Sequence, residues 1–315
     1  MKALFSFCFR FVFVFSFWVL LSCFWLLKMA SENAAGVYIV TGSNQGIGLC
    51  IVEQLWHKLP KEAVVILTSR SVPNGEQARE GILASSAERA ANGPSIVVQQ
   101  LDLTDAGSIA RFSEFLAANH PVVRVLINNA AIAFKGDAFD EHVAKTTFAP
   151  NYHGTIALTA AVLPFLDPSS GTVITVGSRA GLLSRIPSQE LRDRLSSPSL
   201  TQEGLDQIVT QFISSVADGT YADKGWHRSA YGISKTAIHA HFRILARAHP
   251  HLLFYIVCPG WCKTSMAGDK APLTAAQGAS CPVWLATQPR DLSKSGTFWA
   301  GDFTKPSDEF NEIQF

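Results

Sequence analysis

Short apolar runs alternate with helical patterns along most of this chain. The runs are rich in β-branched and aromatic residues, as buried strands are. Six occur, at residues 37–40, 63–68, 95–101, 122–128, 172–176 and 253–258, and a short seventh begins at Phe298. Helical spacing of apolar residues separates them, at about 49–55, 75–91, 105–118, 138–166 and 231–248. This alternation predicts an α/β fold, a doubly wound parallel sheet with helices on both faces (a Rossmann fold).

Ligands in such folds bind beyond the carboxyl ends of the strands. A residue suited to ligand contact follows each of the six predicted strands. In chain order these are Gly42, Arg70, Asp102, Asn129, Ser178 and Pro259. Six strand ends of this kind favour a binding site at one edge of the sheet more strongly than any single motif does.

A glycine-rich turn connects the first predicted strand to the first helix. It consists of Gly42, Ser43, Asn44, Gln45, Gly46, Ile47 and Gly48. Backbone N–H groups at a helix N-terminus are a binding site for pyrophosphate. The spacing is G-x-x-x-G-x-G, which differs from the commoner G-x-G-x-x-G of dinucleotide-binding proteins. We predict that these seven residues bind a dinucleotide.

Tyr231 and Lys235 lie four residues apart in a helical segment, and such positions share one face of a helix. A nearby ammonium favours the phenolate, so it is expected to lower the pKa of the tyrosine toward neutrality. Tyr231 would then donate or accept a proton at physiological pH. Taken alone, the pair also fits an ordinary exposed helix face. Together with the glycine-rich turn, it indicates nucleotide-dependent redox chemistry.

These residues resemble the motifs of the short-chain dehydrogenases/reductases, over roughly residues 36–303. The resemblance is carried by the glycine-rich turn, Asp102, Asn128-Asn129-Ala130, Asn151, Ser178, Tyr231-x-x-x-Lys235 and Pro259-Gly260. Within that family the chain is most similar to NADPH-dependent carbonyl reductases. The narrower likeness depends on residues 129–134 and 259–268 and on a long insertion, 182–229, before the tyrosine.

The resemblance implies four catalytic roles. Tyr231 would protonate the carbonyl oxygen as hydride reaches the carbon. Lys235 would lower the tyrosine pKa and hold the nicotinamide ribose. Ser178 would hydrogen-bond the substrate oxygen, and Asn151 would hold a water that relays the proton. The nicotinamide supplies the hydride itself.

The resemblance also implies the remaining contacts. Besides the glycine-rich turn, Tyr231 and Lys235, the coenzyme would contact Arg70, Asp102, Leu103, Asn129, Ala130, Pro259, Gly260 and Thr264. The substrate would contact Ser178, Phe134, Trp261 and Met266. Core packing is the alternative for Trp261 and Met266. Phe134 is expected at the lip of the pocket.

The segment after the second strand indicates which coenzyme is used. Enzymes that use NAD place an acid there to bind both ribose hydroxyls. Here the sequence is Thr68-Ser69-Arg70-Ser71, without an acid. Because Arg70 can form a charge-assisted pair with a 2′-phosphate, the sequence favours NADP over NAD.

Three positions depart from the pattern of the family. Ala131 stands where relatives often have glycine, and Gln45 where NADPH-using relatives often have a basic residue. Pro150 precedes Asn151 inside a predicted helix, where proline removes a backbone hydrogen bond and kinks the helix. The kink would either seat the relay water beside Asn151, which we favour, or displace its amide.

Composition excludes some classes of function. The formal net charge is +1, and nothing in the sequence suggests a nucleic-acid surface. The six cysteines have no spacing typical of a metal site, so we expect reduced thiols and no metal. His239, His241, His249 and His251 are expected on the solvated surface of the Tyr231 helix and just beyond it.

Residues 1–28 form an apolar leader, with no charge between Phe11 and Leu27. That length is near the lower limit for a membrane-spanning helix. Three interpretations stay open: a membrane anchor through residues 3–27, a signal-like segment, or translation that begins at Met29. We favour the last interpretation, which gives one reductase domain over residues 29–315. We then expect a cytoplasmic enzyme, which would contact a membrane only if the leader is retained.

The predicted function is NADPH-dependent reduction of ketones and aldehydes, small-molecule substrates of lipophilic character. Two alternatives are a membrane-anchored reductase of lipid or steroid carbonyls and a non-catalytic NADP-binding protein. Residues 199–213 within the insertion have the pattern of a capped amphipathic helix. The resemblance implies a monomer, because the insertion would cover the helices through which other family members associate.

Overall fold

A computed structural model describes residues 35–301 and 309–315. The strands in these ranges are β1 Val37–Val40, β2 Val64–Ser69, β3 Ser95–Gln100, β4 Val123–Asn128, β5 Thr172–Val176, β6 Leu253–Cys258, β7 Thr297–Gly301 and β8 Phe310–Ile313. They form one sheet in the order β3-β2-β1-β4-β5-β6-β7-β8. The first seven strands are parallel, and β8 pairs antiparallel with β7 at the edge. The predicted doubly wound parallel sheet is confirmed.

Ten α-helices occur within the described ranges. They are α1 Gly46–Lys58, α2 Val72–Ala84, α3 Ala87–Asn92, α4 Ala106–Asn119, α5 Glu141–Phe148, α6 Thr155–Val162, α7 Gln189–Ser196, α8 Gln202–Ala217, α9 Ala230–Ala248 and α10 Ala275–Thr287. Helix α9 carries Tyr231 and Lys235 and packs against the end of β5 and against β6. The carboxyl ends of β1, β4, β5 and β6 therefore face the N-terminal turns of α1 and α9.

Successive side chains of β1 point to opposite faces of the sheet, as they do in any strand. Val37 and Ile39 join the core under α4, α5, α6 and α9, and Tyr38 and Val40 join the core under α1 and α10. Both faces of the sheet are thus buried, which accounts for the near-continuous apolar character of the strands. The chain reverses its winding direction between β1 and β4, so a crevice opens at the carboxyl ends of these strands.

Two predicted helices are interrupted. The helix expected at 75–91 is divided between α2 and α3, because the Ser85 hydroxyl donates to the carbonyl of Ile82 at 2.7 Å and Ser86 caps α3. The helix expected at 138–166 contains a π-helical turn over Ala149–Gly154, which includes Pro150. Proline has no N–H to continue the α-helical pattern, and the interruption takes the form of this π-helical turn; the kink itself stays a prediction.

The insertion, residues 182–229, forms α7, α8 and their connections. Thr201 caps α8 through a hydrogen bond from Gly204 N at 3.1 Å, which is the expected capped start. The apolar face of α8 is buried against α5 and α9, with Phe212 and Phe148 ring centroids 5.6 Å apart. Tyr152 Oη donates to Asp206 at 2.7 Å and fastens the same helix to the π-helical turn. The insertion therefore covers the outer surfaces of α5 and α9.

The exposure of two histidines was predicted wrongly. His239 and His241 are 0% and 4% exposed, because both point from α9 into the packed interior. Cysteines 50, 258, 262 and 281 are free thiols, as expected. No cluster of potential metal ligands occurs in the described part of the chain. Strand β8 was not predicted, since four half-exposed residues carry little periodic signal.

Residues 1–28, the predicted apolar leader, lie outside the described ranges. Within residues 35–301 and 309–315, no helix is both long enough and apolar enough to span a bilayer. The three interpretations of the leader stay predictions.

Candidate active site

A cleft of about 1160 Å³ opens at the carboxyl ends of the central strands. It brings together eighteen of the predicted site residues. They are Gly42, Asn44, Gln45, Gly46, Ile47, Arg70, Asp102, Leu103, Asn129, Ala130, Ser178, Tyr231, Lys235, Pro259, Gly260, Trp261, Thr264 and Met266. Residues from six different strand ends thus share one cavity, which is where a doubly wound fold binds its ligand.

The glycine-rich turn forms one end of the cleft. Gly42 and Gly46 both have φ of 59°, a left-handed conformation that side-chain-bearing residues rarely adopt. A Cβ on Gly42 would lie 2.9 Å from the Cβ of Ala130, so β4 approaches the turn closely. Gln45, the N-cap of α1, makes no side-chain capping bond. The first N–H groups of α1 are therefore available to an anion such as pyrophosphate.

Two residues of the turn support it rather than line the cleft. Ser43 is buried, and its hydroxyl donates to Val40 O at 2.8 Å and accepts from Thr68 N at 3.0 Å. Gly48 allows α1 to approach the turn, because a Cβ there would lie 2.5 Å from Asn129 Nδ2. That amide donates to Thr41 O at 2.9 Å. Ser43 and Gly48 thus support the turn on the side away from the cleft, and their contact with the coenzyme stays a prediction.

Arg70 and Asp102 line the same end of the cleft, after β2 and β3. Arg70 is exposed, and its guanidinium makes no hydrogen bond or ion pair with another described residue. Asp102 Oδ1 accepts from Thr104 N at 2.9 Å and from Thr104 Oγ1 at 2.7 Å. Asp102 therefore orders its own turn and still borders the cleft, where it is predicted to contact the coenzyme.

Ser178 and Tyr231 lie together at the other end of the cleft. Ser178 Oγ accepts from Ala180 N at 3.1 Å, so its hydrogen is free to be donated elsewhere. Burial raises the pKa of Tyr231 to about 12, and hydrogen bonding by the Ser178 side chain opposes this shift. The two hydroxyls are thus close enough to serve one substrate oxygen.

Lys235 is 4% exposed, and its Nζ donates to the carbonyl of Val176 at 2.6 Å. The Nζ lies 5.7 Å from the centroid of the Tyr231 ring. Burial lowers the pKa of Lys235 to about 8. The predicted lowering of the Tyr231 pKa toward neutrality is wrong for this structure, because burial of the phenol raises its pKa and Lys235 is not among the groups that oppose this shift.

Asn151 lies in the π-helical turn and is 2% exposed. Its Oδ1 accepts from Ile132 N at 2.8 Å, and its Nδ2 donates to Ile132 O at 2.9 Å and to Ser234 Oγ at 3.2 Å. The amide ties the segment after β4 to α9 and does not line the cleft. Its role as the holder of a relay water stays a prediction.

The substrate end of the cleft differs in part from the prediction. Trp261, 56% exposed, and Met266 line the cleft, so core packing does not account for the tryptophan. Phe134 is 41% exposed and follows Ala133 of the lining without belonging to it, so its place at the pocket lip stays a prediction. Several lining residues were missed, among them Ala133, Thr146, Arg179, Cys258 and Cys262. Adjacency to predicted residues could have indicated Arg179 and Cys258, but Thr146 reaches the cleft only through folding.

The fold and the cleft define a dinucleotide-binding α/β protein with a serine, a tyrosine and a buried lysine beside the binding site. Residues 36–189 match the family model described as short chain dehydrogenase. The chain is 35% identical to carbonyl reductase [NADPH] 1 of Sus scrofa over 264 residues, which cover 81% of this chain and 88% of that protein. It is 34% identical to short-chain dehydrogenase/reductase 1 of Saponaria officinalis, over 85% and 95% of the two chains.

Solved structures agree with these sequence comparisons. Salutaridine reductase from Papaver somniferum has a TM-score of 0.74 and 27% identity, over 84% of this chain and 99% of that chain. Menthone neomenthol reductase from Mentha piperita has a TM-score of 0.71 and 28% identity, over 84% and 98%. The chain belongs to the short-chain dehydrogenase family.

Proposed function

We propose that the protein is an NADPH-dependent reductase of ketones and aldehydes. The observation that carries this proposal is the convergence of Ser178, Tyr231 and Lys235 on the cleft that the glycine-rich turn also borders. Similarity to carbonyl reductase [NADPH] 1 over most of the chain supports it. When bound, NADPH supplies the hydride, and the protein binds, orients and supplies a proton.

The residues present fit this coenzyme. The uncapped N-terminus of α1 suits the pyrophosphate, and Arg70 suits a 2′-phosphate. Asp102 and Leu103 border the cleft near the same end and would contact the adenine. The buried Lys235 lies beside Tyr231, where it would hold the ribose of the nicotinamide.

The acid step follows from the protonation state of the tyrosine. With a pKa of about 12, Tyr231 is neutral at pH 7 and holds the proton that a reduced carbonyl oxygen needs. Ser178 donates its free hydrogen to the same oxygen and fixes its distance from the phenol. As the proton leaves, the Lys235 ammonium stabilises the phenolate that forms. Tyr231 is thus the general acid, Ser178 the orienting donor and Lys235 the source of positive charge.

The substrate end of the cleft favours lipophilic carbonyl compounds. Its walls include Ile132, Ala133, Trp261 and Met266, which are apolar. An exposed indole at the mouth buries a large area when a hydrophobic molecule packs on it. We therefore propose ketones, aldehydes and quinones with an apolar body as substrates.

The function is tested by incubating the purified protein with a panel of ketones, aldehydes and quinones, and with NADPH or NADH. We expect carbonyl-dependent loss of NADPH absorbance, with less activity with NADH. Tight NADPH binding without turnover of any carbonyl would reject the reductase and favour a non-catalytic NADP-binding protein.

Arg70→Glu should reverse the coenzyme preference. The substitution replaces a cation that can pair with the 2′-phosphate by an acid that can accept from the ribose hydroxyls. We expect the ratio of kcat/KM with NADPH to that with NADH to fall by about 100-fold. Arg111→Glu makes the same charge change outside the cleft and is the control. An unchanged ratio in Arg70→Glu would show that this arginine does not recognise the phosphate.

We also propose that the protein is a monomer. The insertion covers α5 and α9 with the buried face of α8, which includes Leu205, Ile208 and Phe212. A second chain therefore has no access to the outer surfaces of these two helices. Light scattering coupled to size-exclusion chromatography should give the mass of one chain, and a concentration-independent dimer mass would contradict the proposal.

A further inference from the structure

Two hydrogen bonds connect α9 to the backbone at the carboxyl end of β5, beside Ser178. Lys235 Nζ donates to Val176 O at 2.6 Å, and Ser178 N donates to His239 Nε2 at 3.3 Å. Tyr231, Lys235 and His239 follow one another at intervals of four residues, so they share one face of the helix. The helix face that carries Tyr231 therefore also forms hydrogen bonds with the backbone on both sides of Gly177.

Gly177 allows this close approach. A Cβ at this position would lie 2.2 Å from His239 Nε2 and 2.9 Å from its Cδ2, closer than any side chain allows. The same residue donates its N–H to Val257 O at 2.8 Å, which holds it to β6. The backbone just before Ser178 is thus fixed between a neighbouring strand and an imidazole.

The imidazole of His239 is itself held firmly. It is fully buried, with ring centroids 4.8 Å from Phe298 and 5.5 Å from Phe315. Burial, aided by the charge of Lys235, lowers the pKa of His239 to about 3. The ring is therefore neutral, and since Nε2 accepts from the N–H of Ser178, the hydrogen is assigned to Nδ1, which is buried without a hydrogen-bond partner among the described residues.

We propose that His239 is a positioning residue for Ser178. By accepting from the serine N–H, it fixes where β5 ends relative to α9, and so sets the separation between the Ser178 and Tyr231 hydroxyls. His239 touches neither substrate nor coenzyme, since it does not line the cleft. This proposal rests on the proposed function, in which Ser178 orients the substrate oxygen.

The test compares two replacements of His239 in two backgrounds. His239→Leu removes the acceptor, whereas His239→Gln keeps an oxygen near the position of Nε2. Each is made in the natural sequence and in Ser178→Ala, and single-turnover rates with NADPH and one active carbonyl substrate are measured. We expect His239→Leu to lower the rate by about 100-fold in the natural sequence, because a small misplacement of a catalytic group has that effect. The NADPH Kd should change less than about twofold.

Coupling between the two sites is the decisive readout. In the Ser178→Ala background, His239→Leu should lower the rate less than about threefold, because its effect acts through the serine. His239→Gln should recover most of the loss in the natural sequence. If His239→Leu does not fold, as judged by its thermal transition, His239→Ala, which also removes the acceptor, takes its place in both backgrounds.

His241→Leu is the matched control. This histidine is on the same helix and is also buried, but its Nδ1 contacts Gln202 Oε1 of the insertion at 2.6 Å. We expect any loss of rate in this variant to be equal in both backgrounds. Equal losses for His239→Leu in the two backgrounds, or a glutamine variant no better than leucine, would overturn the proposal. Absence of carbonyl reduction by the unmodified protein would instead count against the proposed function.

Discussion

Replacing Tyr231 by phenylalanine should lower kcat for carbonyl reduction by about 10³-fold or more, because general acid catalysis contributes up to about 10⁴-fold. Phenylalanine keeps the ring and removes the only proton that the tyrosine can give. Burial raises the pKa of this phenol to about 12, so the lost group is the neutral acid present at pH 7. The NADPH Kd should stay within about threefold, because the coenzyme is bound mainly by other residues of the cleft.

Steady-state kinetics and NADPH fluorescence titration measure the two quantities. Tyr221→Phe is the control, since Tyr221 packs on Phe139 with ring centroids 4.9 Å apart and does not line the cleft. It should leave kcat within about twofold. Substantial turnover by Tyr231→Phe would remove the tyrosine from the acid role.

Lys235→Met should have two effects of different origin. The rate of reduction should fall by about 100-fold or more, since the ammonium no longer stabilises the developing phenolate. The pH dependence of stability should also change. Burial lowers the pKa of Lys235 from 10.5 to about 8. Between these two values the unfolded chain binds more protons than the folded protein, so this group makes stability rise with pH.

The experiment compares the free energy of unfolding of the unmodified, coenzyme-free protein with that of Lys235→Met. We expect the difference, unmodified minus variant, to increase by about 2–3 kcal/mol between pH 7 and pH 10. Below pH 8 the cost of burying the ammonium is present in full, and above pH 10.5 it is absent. Urea denaturation at the two pH values measures the difference. Lys224→Met, at an exposed lysine, should show no such change. A difference that does not vary with pH would mean that Lys235 is not a buried cation with a lowered pKa.

The positions of the candidate site residues along the chain were largely predictable. Each of the first six strands contains β-branched residues in an apolar run, and a residue at its carboxyl end is brought to the cleft by the parallel topology itself. Gly42, Arg70, Asp102, Asn129, Ser178 and Pro259 all reach it in this way. The helix face shared by Tyr231 and Lys235 was likewise predictable, because it depends only on the period of the helix.

Other features depend on which elements meet in space. The amide of Asn151 points to Ile132 rather than into the cleft, because a π-helical turn rotates it toward the segment after β4. The helical period predicts which residues share a face of α9. It does not predict which other elements of the fold pack against that face. His239 and His241 were consequently expected on the surface, although β5 and the insertion bury them.

The sequence by itself determined the sheet, the order in which its strands bring residues to one edge, and the chemical identity of the groups there. Those properties follow from local periodicity and from chain connectivity. Only the tertiary structure decided the pKa values of Tyr231 and Lys235 and the hydrogen bonds between α9 and the end of β5. Hydration and contact distance depend on every element packed around a group, and residues far apart in the chain supply those elements.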